Sequence, residues 1–474
     1  MAIYKDRELL NEDGSIPVEL LVKCISNHIG IKNRYEKLNA YYDGQHEILN
    51  RTFENPNIPN NKIVCNHAEY ITDMATGYVF GTSITYNGDG SDELNAIFTD
   101  IEEDSHNNEL ALDISILGVG YEMLFMNDDE VPYPELAEIS PFNAFLVCDT
   151  TVKHSPMFAV TYYPKYDIND TLKGYDVNVY TDKEVIHYFF TDLRSTSPEE
   201  KDREPHYFGG IPVIEYKNNK KLKGDFEGVL SLIDAYNKLQ SDRVNDKEQL
   251  VDAFLVIVGQ SLGDTKAEVS ETVKYLMENK IIELDADGDA KWLVKSLNED
   301  QVEVLKKSIK DDIHEFSKVP CLTDENFVGN ASGVAMKYKL LGFEQLAKTK
   351  ERYFKQGLRQ RLKLMCNIEN IRAKNIDSSK IDITMKRSLP VDDELMARIA
   401  QETDGFISWE TRVKRFDGDI DVEEERKRLE EENKKKVEDQ QKMFGSYDFK
   451  KTGDNPQDEE AEDKSKKDGE VDEE

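Results

Sequence analysis

The sequence predicts an α+β protein of several domains, and three features of its 474 residues carry that reading. Two helical patterns, about 225–249 and 299–317, flank a compact insert. Seven short runs rich in β-branched and aromatic residues crowd between 119 and 217. A third long helical pattern follows, from about Gly333 to Met365.

Residues 1–118 read as mostly helical. Pro17–His28 and Ile31–Tyr42 have helical spacing and are expected as two short helices. Pro56 and Pro59 within an Asn cluster demand a loop. Tyr70, Ile71, Met74 and Tyr78 fall on one helical face, with Gly81 as a stop and SITY opening a strand. Two further helices are expected between Asp92 and Leu117. The runs GYEMLFM, LAEIS, AFLVCD, MFAVTYY, DVNVY, EVIHYFF and PVIEY then predict a mainly antiparallel sheet packed on those helices.

In the first long helix Phe226, Val229, Leu230, Ile233 and Tyr236 share a face. From Gln240 the run QSDRVNDKEQ is polar all round, which suits solvent or polar contacts with neighbouring copies. The rod would be roughly 35–40 Å long. In the second helix Val302, Leu305, Ile309, Ile313 and Phe316 form the apolar stripe. The insert, Phe254–Leu297, reads as strand FLVIVG, helix Thr265–Glu278, then strands KIIEL and KWLVKSL. The third helix lines up Leu340, Phe343, Ala347, Phe354, Leu358, Leu362 and Met365; Arg359, Arg361 and Lys363 read as intersubunit or solvent contacts. IDITMKRSL, 381–389, alternates like a strand that returns to the main sheet. Residues 391–438 are helical again, and 453–474 carry eleven acids and three lysines, a block of like charge expected to stay disordered.

Composition narrows the function. No run approaches the roughly 18–20 apolar residues of a membrane span, and the N-terminus lacks the build of a signal peptide. Five scattered cysteines suggest free thiols in a reducing compartment and offer no metal spacing. DADGDA (285–290) fails as a calcium loop, with Ala290 in place of the glycine and Ser296 in place of the closing glutamate. There is no P-loop, GxGxxG or HExxH. No catalytic residue, metal or cofactor is expected. The net charge of −34 opposes a sequence-reading nucleic-acid binder.

Four runs resemble the portal proteins of tailed bacteriophages, the type found in long-tailed phages of Gram-positive hosts. They are YYDGQHEI (41–48), NNKIVCNHAEYITDMATGYVFGTSITY (60–86), IDAYNKLQSDRVNDKEQ (233–249) and GNASGVAMKYKLLGFEQLAKTKERYFKQGL (329–358). The resemblance implies a portal fold: an α/β wing (1–221), a two-helix stem (222–253 and 298–321) and a small α/β clip (254–297). It continues with a tunnel loop (322–333), a long wing helix with a return strand (334–390), a helical crown (391–440) and an acidic tail (441–474).

The resemblance further implies a homo-oligomeric ring, usually of twelve copies, at one capsid vertex. Double-stranded DNA passes through it without regard to sequence. The terminase large subunit and later the head–tail adaptor dock at the clip, among major capsid and scaffold proteins and without a membrane. By family position Asn326, Phe327, Val328, Gly329, Asn330, Ser332 and Gly333 form the loop that narrows the channel; read on their own they make a surface turn with Ser332 as N-cap. Lys306, Lys307, Lys310 and Lys318 read equally as phosphate-facing rings or as a solvated face with local pairs such as Glu303–Lys307. Stem packing is assigned to Ile233, Tyr236, Leu305, Ile309 and Phe316. The rival readings are a capsid-assembly scaffold or interaction protein with no channel, and an enzyme of packaging, for which no signature is present.

Overall fold

The computed structural model describes residues 3–56, 58–128, 130, 132–251, 254–258, 261, 263–279, 288–293, 299–322, 338–388, 398–399, 401–403, 405–416 and 422–444. The chain divides into two compact units, Met1–Leu389 and Pro390–Glu474.

The first unit is α+β. Strand β1 (Ile3–Lys5) precedes helix α1 (Val18–Tyr42) and α2 (His67–Phe80); β2 (Thr85–Asn87), α3 (Ser91–Asp100) and α4 (Glu103–Leu117) follow. Next come β3 (Val119–Met126), β4 (Pro134–Ile139), β5 (Ala144–Asp149), β6 (Pro156–Tyr166), β7 (Leu172–Tyr180), β8 (Glu184–Phe190), β9 (Glu199–Pro205) and β10 (Val213–Lys217). These strands make two sheets where the sequence suggested one. One is six-stranded, β1-β5-β6-β7-β8-β9, with only β1 parallel to its neighbour; the other is β10-β3-β4.

Strand β5 explains how the sheets share a core. All six of its residues are buried. Phe145 and Val147 face one apolar cluster with Val160, Val177, Ile186 and Phe190. Ala144, Leu146 and Cys148 face a larger cluster built on α2, α4, β3 and β10. A strand buried on both faces reads as a continuous apolar run, as AFLVCD does.

Helix α1 is one rod of 25 residues, not two short helices. Gly30 lies in the gap left between the two expected helices. A mid-helix glycine costs only about 1 kcal/mol, and packing on both sides outweighs it. Leu20, Leu21, Cys24 and Ile25 anchor the first half in the sheet cluster; Tyr35, Leu38 and Tyr41 anchor the second in the larger one. His28 sits between, fully inside. Its Nε2–H donates to the Pro141 carbonyl (3.0 Å), so Nδ1 accepts from the Tyr162 hydroxyl (2.8 Å).

After β10 the chain enters α5 (Leu230–Val251), β11 (Phe254–Val258), α6 (Lys266–Asn279), β12 (Asp289–Leu293) and α7 (Glu299–Ser317). Strands β11 and β12 pair antiparallel, Val256 opposite Lys291. KIIEL lies outside the described residues. Helix α8 (Leu341–Ile371) buries Phe343, Ala347, Phe354, Leu358, Leu362 and Met365, the stripe that the sequence predicts. Gly357 belongs to that stripe, because a Cβ there would meet the Tyr216 ring at 2.4 Å. Strand β13 (Asp382–Thr384) pairs with β2 in a separate two-stranded ladder, not with the main sheet. Two elements gave no apolar period: β1, too short at three residues to show one, and β9, EEKDREP, an edge strand exposed throughout.

The second unit contains α9 (Trp409–Phe416) and α10 (Val422–Phe444). Arg426 pairs with Glu410 between them. Among its described side chains none is buried. Residues 445–474, most of the acidic tail, lie outside the described residues.

Candidate functional site in the stem and its junction

The stem is α5 and α7 lying side by side and antiparallel, about 33 and 28 Å long at 1.5 Å per residue. Arg243 reaches Glu303 (2.9 Å) and Lys247 reaches Glu299 (2.9 Å) across the pair. Near the wing the pair becomes apolar: Val229, Ile233 and Tyr236 are buried with Ile313.

The polar stretch of α5 has a partner within the same chain, where the sequence allowed solvent or a neighbouring copy. The segment 61–65 runs extended along it. Asn245 Oδ1 accepts from Asn61 N–H (2.8 Å), Ser241 Oγ from Ile63 N–H (2.9 Å) and Asn237 Oδ1 from Cys65 N–H (2.8 Å). The fit is metrical. Two extended residues advance about 6.6 Å and four helical residues about 6 Å, so every second N–H meets every fourth side chain. Asn61 Nδ2 also reaches Glu248 (2.8 Å), and Arg51 reaches Asp242 (2.6 Å). The N-x3-S-x3-N spacing in α5 was the available signal, and sequence reading missed it.

At the wing end an aromatic cluster closes the stem. His67 lies edge-on to Tyr236 (4.9 Å between centroids) and to His314 (5.5 Å). Burial, then the neighbouring His314 and Lys310, pushes His67 down to about 4. Tyr70 donates to the Pro320 carbonyl (3.2 Å) and accepts from Leu322 N–H (2.9 Å). It thus holds Leu322, the first residue of the 322–333 loop.

The junction with the wing is dense with buried charge. Asp225, just before α5, pairs with Lys350 of α8, both side chains fully buried. It also accepts from Ser115 Oγ (2.5 Å) and Asn218 Nδ2 (2.8 Å). Arg34 forks onto Glu227 (2.9 and 2.7 Å) and donates to the Leu222 carbonyl (2.8 Å). Three turns along α8, Arg361 is fully buried, which corrects its reading as an intersubunit or solvent contact. It spans Glu103 and Glu122 and donates to Asn107 (2.9 Å). Burial alone would raise the Glu122 carboxyl; Arg361 and His106 overcome it and hold it at about 2.

The sequence-assigned residues fall out as follows. Ile233 and Tyr236 are buried and Ile309 half-buried, while Leu305 and Phe316 are 51% and 64% exposed on this chain. Lys306 pairs with Glu303 (3.0 Å), which Arg243 shares, in place of the expected Glu303–Lys307 pair. Lys310 lines a pocket with Cys65, His67 and His314; Lys307 and Lys318 are exposed. Asn326, Phe327, Val328, Gly329, Asn330, Ser332 and Gly333 lie outside the described residues. Among the described residues no group of three or more His, Cys, Asp or Glu is placed to hold a metal, and no helix is long and apolar enough to cross a membrane.

Residues 21–439 match the family model described as "Phage portal protein, SPP1 Gp6-like". The chain is 24% identical over 454 residues to the "Portal protein" of Bacillus phage SPP1, covering 90% of this chain and 85% of that one. It is 25% identical over 423 residues to the "Portal protein" of Clostridium phage phiCD119, covering 83% and 91%. Solved structures similar in part are chains of "Neck of native GTA particle computed with C12 symmetry" and "Virion of native gene transfer agent (GTA) particle". Both are 14% identical and cover 73% of this chain and 88% of theirs, at TM-scores of 0.42 and 0.39.

Proposed function

The chain belongs to the SPP1 Gp6-like phage portal proteins, and from that premise we propose that it acts as a ring, expected to hold twelve copies, at one vertex of a phage capsid. Double-stranded DNA enters through this ring during packaging and leaves through it on ejection. The ring has no enzymatic role. The clip, 254–297, docks the terminase large subunit and afterwards the head–tail adaptor, and the wing meets the major capsid and scaffold proteins. The protein resides in the virion, after assembly in the host cytoplasm.

The observation that carries this reading is the unfinished stem. A chain that buries Arg361, Lys350 and a two-sided β5 leaves Val304, Leu305 and Phe316 exposed on one helix. Large exposed apolar groups mark surfaces that a partner covers. The charge of −34 suits a conduit: each cation–phosphate contact releases counterions and tightens the grip on DNA, so an anionic bore with few lysines lets the polymer slide. The loop 322–333 narrows the bore, with Gly329 and Gly333 as backbone hinges.

Negative-stain images of the purified chain are expected to contain rings with a central hole. A monodisperse monomer across salt, pH and concentration overturns the proposal. Gly329→Pro is expected to leave rings intact and impair DNA packaging; normal packaging would remove the loop from the mechanism.

A further inference from the structure

We propose that the loop carrying Phe53 and Ile58 docks on the outer face of α7 of the next copy, and that this contact sets the head-to-tail order of the stem. The inference rests on the ring reading above and specifies one of its interfaces.

The two surfaces lie on opposite flanks of one stave. On α5 the residues that face α7 are Tyr236, beside Lys310 and His314, with Arg243 and Lys247, and those that hold the extended segment are Asn237, Ser241 and Asn245. At 100° per residue the two sets lie about 140° apart. On α7 the exposed Gln301, Val304, Leu305 and Ser308 point about 130° away from the inward Val302, Lys306 and Ile313. A donor surface on one flank and an acceptor on the other is a heterologous interface, which closes into a ring when the rotation allows.

Both surfaces are neutral islands in a chain that is one-third charged. The stretch TFENPNIP, 52–59, has the single charge Glu54, and exposes Phe53 (40%) and Ile58 (38%). The α7 island exposes Val304 (71%) and Leu305 (51%). Lys307, Asp300 and Asp311 border it.

The two islands also stand at one height. Arg51, at the root of the loop, pairs with Asp242, while Glu303 pairs with Arg243. Val304 and Leu305 follow Glu303 directly, so loop and island share one turn of the stem.

The loop is presented ready-made. Arg51 Nε donates to Asn60 Oδ1 (3.0 Å), Asn60 Nδ2 donates back to the Arg51 carbonyl (3.0 Å), and the guanidinium sits 5.1 Å from the Phe53 ring. Pro56 and Pro59 restrict the backbone further. A loop held this way loses little freedom on docking.

The test is a cysteine pair in the full chain, Ile58→Cys with Val304→Cys, oxidised with copper phenanthroline. A ladder of covalent multimers on a denaturing gel is expected, and the parent chain and each variant with one added cysteine should remain monomeric on that gel. Rings in micrographs without a ladder overturn this docking and leave the ring standing. Absence of rings from the unmodified chain overturns the ring reading and the docking with it. A second variant, Phe53→Ser with Ile58→Ser, is expected to raise the subunit concentration for half-assembly at least ten-fold at an unchanged monomer melting temperature. Unchanged assembly counts against the loop.

Discussion

The wing and the stem solve opposite problems with the same residue types. In the wing, charge is buried: Arg361, Glu103, Glu122, Lys350 and Asp225 sit inside with their hydrogen bonds filled by Asn107, Ser115, Asn218, Tyr86 and Tyr216. In the stem, charge lies outside, as in Arg243–Glu303 and Lys247–Glu299, and apolar groups lie outside with it. A fully paired buried charge fixes one arrangement, because any shift strands an ion in a dry interior. The buried charges of the wing are therefore settled within one chain. The stem is held to it by the Asp225–Lys350 and Arg34–Glu227 locks and leaves its outer faces for neighbours.

The largest expected effect breaks the wing side of that contrast. Arg361→Met leaves Glu103 and Glu122 buried without their cation. Breaking a buried pair from one side costs about 3–5 kcal/mol, which should appear as a large drop in the melting temperature. If the variant melts like the parent, the cluster is not the lock described.

Acid should separate the regions by a second route. His28 is pushed down to about 3 by burial, with Lys32 adding to it. It is neutral when folded, whereas the unfolded group takes a proton near 6.5. Its contribution is whole above pH 6.5 and is lost as pH falls towards 3, on the order of a few kcal/mol. Glu122 acts lower, between about 4.5 and 2, where its depressed carboxyl must be protonated. Between pH 6.5 and 4.5, His28→Gln should therefore flatten the fall of stability measured by denaturant titration. His67 and His206, also shifted down, add to the slope, and Asp113, whose carboxyl is raised by burial and by Glu138, opposes it. An unchanged slope would mean that the imidazole charges freely in the fold.

The same contrast explains what was legible in the sequence. Core elements announce themselves through apolar period, so the seven predicted strands and the α8 stripe were readable, whereas the α7 stripe gave the helix but left Leu305 and Phe316 exposed. Elements held by polar groups were not. Arg361 and Lys350 look like surface cations on a helix until the carboxylates of α4, β3 and the α5 junction come together around them. Strand β9 has no apolar residue beyond Pro205 and is defined only by its ladder with β8. The extended segment on α5 needed two periods read together, two along residues 61–65 and four along 237–245. The division into 17–28 and 31–42 erred in the other direction, because local spacing was read without the two clusters that pin α1.

That segment gives the next prediction down in size. Ser241→Ala leaves Ile63 N–H without its acceptor, and a missing partner for a half-buried amide costs about 1 kcal/mol. The neighbouring bonds to Asn237 and Asn245 remain, so the loss should stay local. Hydrogen exchange at Ile63 is expected to speed up roughly five-fold while the wing amides are unaffected. Exchange that quickens across the whole chain would show that the segment supports the global fold.

The smallest effect comes from the charges that look most like a stem lock. Lys247 and Glu299 approach to 2.9 Å, yet each is about half exposed. Water and salt screen such a pair, and holding two long side chains in one geometry costs entropy that offsets the attraction. Lys247→Ala should leave the melting temperature within experimental error at physiological salt. Arg243 is the sharper control, since it reaches both Glu303 and Glu299 and is better covered. If Lys247→Ala destabilised the chain as Arg361→Met should, exposed pairs would be holding the stem, and the distinction between a wing settled by buried charge and an open stem would fail.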